Sequence, residues 1–217
     1  MPAEAGMNRF YWDMRYPSAR EAASDVPLLS LEAPRPAPPV APPGRYAVRL
    51  TAGGQTYEQA FEIRRDPRTT ASDADLQAQF DFMVKIRDRL SEVTDAVNRL
   101  RDARRQVEQR EKQAAGPAGK PRADVAAVKA KLAAIEGQLT RLVGRNPLDL
   151  PAKGLDNKLA ALSGEVGGAN ARPTKQMYAV FEDLSARAAV QLRQLDEVIA
   201  KDIPALTPGG AAKPKRQ

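Results

Sequence analysis

Neither cysteine nor histidine occurs anywhere in the 217 residues. Their absence excludes disulfides, thiolate nucleophiles and zinc sites built from Cys or His. It also excludes Ser-His-Asp and Cys-His catalysis, because no side chain can serve as the imidazole base. Any metal would be a hard cation held by oxygens. Long apolar runs are missing too: no stretch approaches the ~20 residues needed to span a bilayer. The opening MPAEAGMNRF lacks the charged-then-apolar pattern of a signal peptide.

Charge of one sign is in mild excess, with 34 Lys and Arg against 27 Asp and Glu and a net charge of +7. Its distribution argues against nucleic acid. Residues 1–71 carry 9 basic and 8 acidic groups, and residues 72–115 carry 9 of each. The surplus falls in 116–147, with 6 basic and 2 acidic groups, and in the terminal KPKRQ. A nucleic-acid footprint gathers on one face with aromatic residues nearby, which this pattern does not do.

Aromatics are scarce, and the only Trp lies in NRFYWDMRYP, near one end. In RFYWDMRY, Phe10, Trp12 and Met14 alternate with Arg9, Tyr11, Asp13 and Arg15, the period-2 pattern of a half-buried strand. A proline-rich span, SLEAPRPAPPVAPPG, reads as an extended loop. GRYAVRLTAGGQTYEQAFEIRR then reads as two strands. Tyr46, Val48 and Leu50 face inward, Gly53 and Gly54 form a tight hairpin, and Tyr57, Phe61 and Ile63 continue the pattern on the return. Three strands make a thin unit, since a sandwich that buries a Trp has about seven. The segment around Trp12 is therefore expected to be the middle of a domain, with Trp12 in its core.

From Ser72 the pattern changes. Ser72 and Asp75 have the spacing of a capping box. Leu76, Met83, Leu90 and Val97 recur every seventh residue, and Ile86, Val93, Leu100 and Val107 form a second row, the a/d pattern of a long packed helix. Gly116, Pro117, Gly119 and Pro121 mark a turn. A second helix is predicted from about Asp124 to Val143, with seams Val125, Leu132, Leu139 and Val128, Ile135, Leu142. A short one follows through Leu155, Leu159, Leu162 and Val166. A last helix opens at Pro173 with seams Met177, Leu184, Val198 and Phe181, Ala188, Leu195, and ends near Ile203-Pro204. Short connections predict antiparallel neighbours in an up-down bundle. The expected organisation is a partial β unit over 1–70, a helical bundle over 71–206, and a disordered basic tail over 207–217.

The serial order of GMNRFYWDMRYP, PPGRYAVRLTAGGQTYEQAFEIRRDPR, VTDAVNRLR, NPLDLPAKGLDNKLAAL and RPTKQMYAVFEDLSA resembles the C-terminal part of a bacterial family. Its members are exported proteins with BNR-repeat, sortilin-type β-propellers, often labelled glycosyl hydrolases. The resemblance implies an α+β fold class: an incomplete antiparallel Ig- or fibronectin-like unit, then an antiparallel coiled-coil bundle. It implies a periplasmic or extracellular location and, as partners in cis, a preceding propeller and sandwich. Self-association through the helices or the strand edge is a further expectation. This chain departs from the family in carrying no propeller, so no catalytic residue is carried over.

Glycoside hydrolysis needs two carboxyl groups facing each other across a cleft. By residue type Asp13, Glu58, Glu62 and Asp66 qualify, yet Glu58 and Glu62 fall on the polar side of their strand. All four read as surface acids, and the helical acids read as solubilising charges. The reading therefore names no catalytic residue, no cofactor-binding residue, no metal ligand and no cofactor. Two functions stay open beside a non-catalytic scaffold module: the tail of a glycoside-acting enzyme, and a free-standing coiled-coil adaptor.

Overall fold

The computed structural model describes residues 6–21, 36–114, 123–140 and 154–206. Among these residues the fold is α+β, with a two-stranded antiparallel sheet and four helices. Strands β1 (Gly44–Ala52) and β2 (Gln55–Ile63) form the hairpin that the sequence predicts. Gly53 and Gly54 take φ of 57° and 77°, the left-handed pair that a two-residue turn of matching twist requires.

The strand expected over 9–16 does not form. Tyr16 N–H donates to Pro39 O and Ala41 N–H to Met14 O, both at 2.8 Å, around a single bridge between Arg15 and Val40. Extended further, that register would pair residues 10–13 with 42–45 and bring only Tyr11 and Phe10 to the start of β1, at Gly44 and Arg45. Met14 instead takes φ 59°, which turns the chain out of the ladder. Local bonds hold this turn: Asp13 Oδ1 accepts from Arg15 N–H and Trp12 Nε1–H donates to Arg15 O, each at 3.0 Å. Alternation alone could not reveal a left-handed methionine.

Helix α1 (Asp73–Ala114) begins at a true capping box. Asp75 N–H donates to Ser72 Oγ and Ser72 N–H donates back to Asp75 Oδ2, both at 3.1 Å. Every predicted seam residue of α1 is buried except Leu76, which is half-buried in the first turn. Phe82, Ala96 and Ala103, from a third heptad row in which Arg89 is half-buried, are buried too. This widens the stripe beyond a two-sided a/d seam, because α1 is covered from more than one side.

Helices α2 (Ala123–Leu139) and α3 (Leu155–Gly167) provide one cover. Arg104 pairs with Glu136 and Glu111 with Lys129, an opposite residue order that makes α2 antiparallel to α1. Leu155 and Leu159 join the core with Leu90 to Val107, while Leu162 and Val166 join Phe82, Met83 and Ile86, so α3 also runs antiparallel to α1. Consecutive α2 and α3 thus form one column end to end and are not antiparallel neighbours, contrary to the up-down expectation. Gly154, buried at the start of α3, explains the join: a Cβ there would lie 2.6 Å from Thr140 Cα. Thr140 Oγ1 also donates to Asp156 Oδ2 at 2.7 Å. The predicted extension of α2 to Val143, with Leu142, and the basic tail lie outside the described residues.

Helix α4 (Lys175–Glu197) is the second cover, capped by Thr174, whose hydroxyl accepts from Met177 N–H. Phe82 packs on Tyr178 and Phe181 at 4.2 and 5.5 Å, and Arg99 pairs with Asp196, so α4 runs parallel to α1. A π turn (Val198–Asp202) and a last turn (Ile203–Ala205) follow. Pro204 has no N–H to give the carbonyl four residues before it, and the π turn accommodates that missing bond.

The N-terminal segments are strapped to the bundle. Ala19 is buried in its core, Arg20 N–H donates to Ser91 Oγ at 3.2 Å, and the Arg20 guanidinium pairs with Asp95. Ala37 N–H donates to buried Ser163 Oγ at 3.1 Å, and Gly167 leaves room for the Ala37 methyl. Tyr16 packs on Phe80 at 4.8 Å.

Candidate functional site

The sheet has two unlike faces because successive side chains alternate. Pairs Tyr46↔Phe61, Val48↔Gln59 and Leu50↔Tyr57 put the large apolar residues on one face. Arg45↔Glu62, Arg49↔Glu58 and Thr51↔Thr56 lie on the other. Trp12 lies over the base of the apolar face, 6.0 Å from Tyr46 and 6.2 Å from Phe61, while those two rings stack at 5.8 Å. Trp12 is not the core residue the sequence predicts: it is 39% exposed, its indole N–H satisfied locally by Arg15 O. Further along, Val48, Leu50 and Tyr57 are 54%, 50% and 56% exposed, so the inward facing predicted for them has nothing to face among the described residues.

Beside this cluster runs a groove of about 610 Å³, lined by Phe10, Trp12, Arg15, Tyr46, Val48 and Arg49 among others. Consecutive residues 46 to 49 all line it, and they alternate between faces, so the groove follows the outer edge of β1. Burial raises the pKa of the Tyr46 phenol, with nearby Tyr16 adding to the effect, and its hydroxyl donates to Pro42 O at 2.7 Å.

The four carboxylates singled out by residue type do not converge. Asp13 caps its own turn, Glu58 pairs with Arg49 and Glu62 with Arg64, each pair at 2.9 Å. Asp66 is held by Arg68 at 2.7 Å, which lowers its pKa, the direction opposite to that of a general acid. Among the described residues no three carboxylates gather as a cation site, and no helix is long and apolar enough to cross a membrane. One helical acid departs from the solvated reading. Glu136 is buried, with Arg104 Nη1 2.6 Å from its Oε2, since removal from water requires a paired cation.

Sequence reasoning missed the left-handed turn at Met14 and the serines that strap the neighbouring segments down, Ser91 and Ser163. The strap serines carry no periodic signal. Sequence reasoning also omitted Phe82, Ala96 and Ala103, whose signal was a third heptad position interrupted by Arg89. In comparisons with known proteins, no family model, curated protein or solved structure matches this chain.

Proposed function

We propose that this chain is a non-catalytic scaffold and interaction module: the C-terminal part of an exported BNR-repeat, sortilin-type β-propeller protein of the kind often labelled glycosyl hydrolase. In this reading the hairpin and the Trp12 segment belong to an Ig- or fibronectin-like sandwich, whose other strands come from the preceding domains. The helices, packed as a coiled-coil bundle, brace it. The observation that carries the proposal is the row of Val48, Leu50 and Tyr57, each at least half exposed beside a Trp12, Tyr46 and Phe61 cluster. A sheet face of this kind is normally covered by a second layer.

The test is a hydrophobic dye titrated into the chain, with Trp12 emission followed in parallel. The chain alone should bind dye, and Leu50→Lys with Tyr57→Lys should abolish binding. Joining the preceding sandwich strands should remove it and shift Trp12 emission to the blue. Failure of the wild-type chain to bind dye would reject the reading.

A further inference from the structure

We propose that the free edge of β1 is a strand-addition site for an extended segment of a partner protein in which acidic residues alternate with apolar ones. The inference rests on reading the unit as an interaction module, but it concerns the edge and not the apolar face. In a two-residue hairpin, Ala52↔Gln55 exchange both backbone bonds, and every second pair after them does the same. The N–H and C=O groups of Arg45, Ala47, Arg49 and Thr51 therefore point away from β2. Among the described residues nothing takes them, and the sheet ends at β1. An unpaired row of this kind is a template for another strand. The Arg15–Val40 bridge stops short of this row: its register would carry residues 10–13 over 42–45, so of the four only Arg45 would be reached.

The side chains flanking the edge specify the guest. On one side it would meet Trp12, Tyr46 and Val48, which favour apolar residues at alternate positions. On the other it would meet Arg45 and Arg49. Arg45 has no carboxylate partner among the described residues, and Arg49 shares its charge with a single exposed Glu58. Arg15, also in the groove, makes only a 3.5 Å contact to Pro38 O with its guanidinium. Antiparallel pairing of two copies of β1 would bring Arg45 and Arg49 of both onto the same face, where like charges repel. Charge thus disfavours a second copy and favours an acidic strand.

The probe is a synthetic peptide matching the 9 residues of β1, alternating Glu with Val or Tyr. Its controls are a Lys-for-Glu version and one N-methylated on alternate amides. Titration into the full chain should change Trp12 emission saturably and slow amide exchange at Ala47 and Arg49. The Lys peptide should bind about tenfold more weakly or worse, and the methylated one not measurably. Ala47→Pro removes an outward N–H without touching the β1–β2 bonds, so it should lose the peptide and keep the hairpin. Arg45→Glu with Arg49→Glu should reverse the peptide preference. Equal binding of the Glu and Lys peptides, or no binding, would overturn the proposal. So would a chain that dimerises by sedimentation, loses the dimer in Ala47→Pro and is not displaced by the Glu peptide. Dye binding at the apolar face reports separately, so failure of this inference and failure of the module reading are distinguishable.

Discussion

Glycine-to-alanine substitution at two positions ten residues apart should act with opposite sign. At Gly164, inside α3 and exposed, a Cβ meets nothing within 4 Å, so alanine only improves helix propensity. The gain should be about 0.5–1 kcal/mol, or roughly 1–4 °C in Tm for a chain of this size. At Gly154 the backbone angles, φ −65° and ψ 172°, suit any residue, and restricting the unfolded chain alone would favour alanine by about 0.4–1 kcal/mol. The new methyl, however, would lie 2.6 Å from both Cα and C of Thr140 and 2.7 Å from Asp156 Oδ1. Two of those atoms are backbone, so the columns must part or α3 must slide. Overpacking of this kind costs about 1–3 kcal/mol, which exceeds the entropic gain and puts the Thr140–Asp156 hydrogen bond at risk. Thermal and urea unfolding followed by circular dichroism would measure both variants. If Gly154→Ala is as stabilising as Gly164→Ala, the end-to-end join of α2 and α3 is wrong.

Leu100 is fully buried, and Leu100→Ala should cost about 2–5 kcal/mol in the same unfolding assay. Ser163→Ala leaves the Ala37 N–H without its acceptor, and hydrogen exchange at Ala37 should quicken while the helices stay protected. The Asp75 carboxyl is lowered to about 2 by its bonds from Ser72 and Arg172. A lowered folded pKa contributes stability above the unfolded value, ~3.9, and that stability is lost as pH falls through about 2. Asp75→Asn should therefore flatten the dependence of melting on pH between those values, and leave the slope above it unchanged.

The helices were legible because their signal is redundant. Leu90, Val93, Val97 and Leu100 repeat one periodicity many times over, and the capping box at Ser72 fixes where it begins. The hairpin was legible for a different reason: Gly53-Gly54 meets a backbone requirement that few pairs satisfy. What failed was whatever depends on a single torsion or a close approach. Phe10, Trp12 and Met14 alternate as well as any strand, yet one left-handed residue ends the pairing. Gly154 looks like an ordinary start signal, and only its distance to Thr140 shows that two helices share a column. The groove at the edge of β1 is lined in part by Phe10 and Trp12 of that segment, so it could not be read before the turn was seen.

The parallel course of α1 and α4 has a mechanical consequence. Arg65 ties the base of the hairpin to the start of α1 through Asp73 and the Ala71 carbonyl. At the far end, Arg110 holds the carbonyl of Ile203. At 1.5 Å per residue these anchors stand ~55 Å apart along the helix. A pull between the sheet and whatever follows Leu206 is therefore directed along the rod, drawing α1 from its first turn and α4 from its last. The two slide in shear, so the packed rows resist together and do not peel one at a time. The bundle is suited to bear load as a strut, holding its ends at a fixed distance.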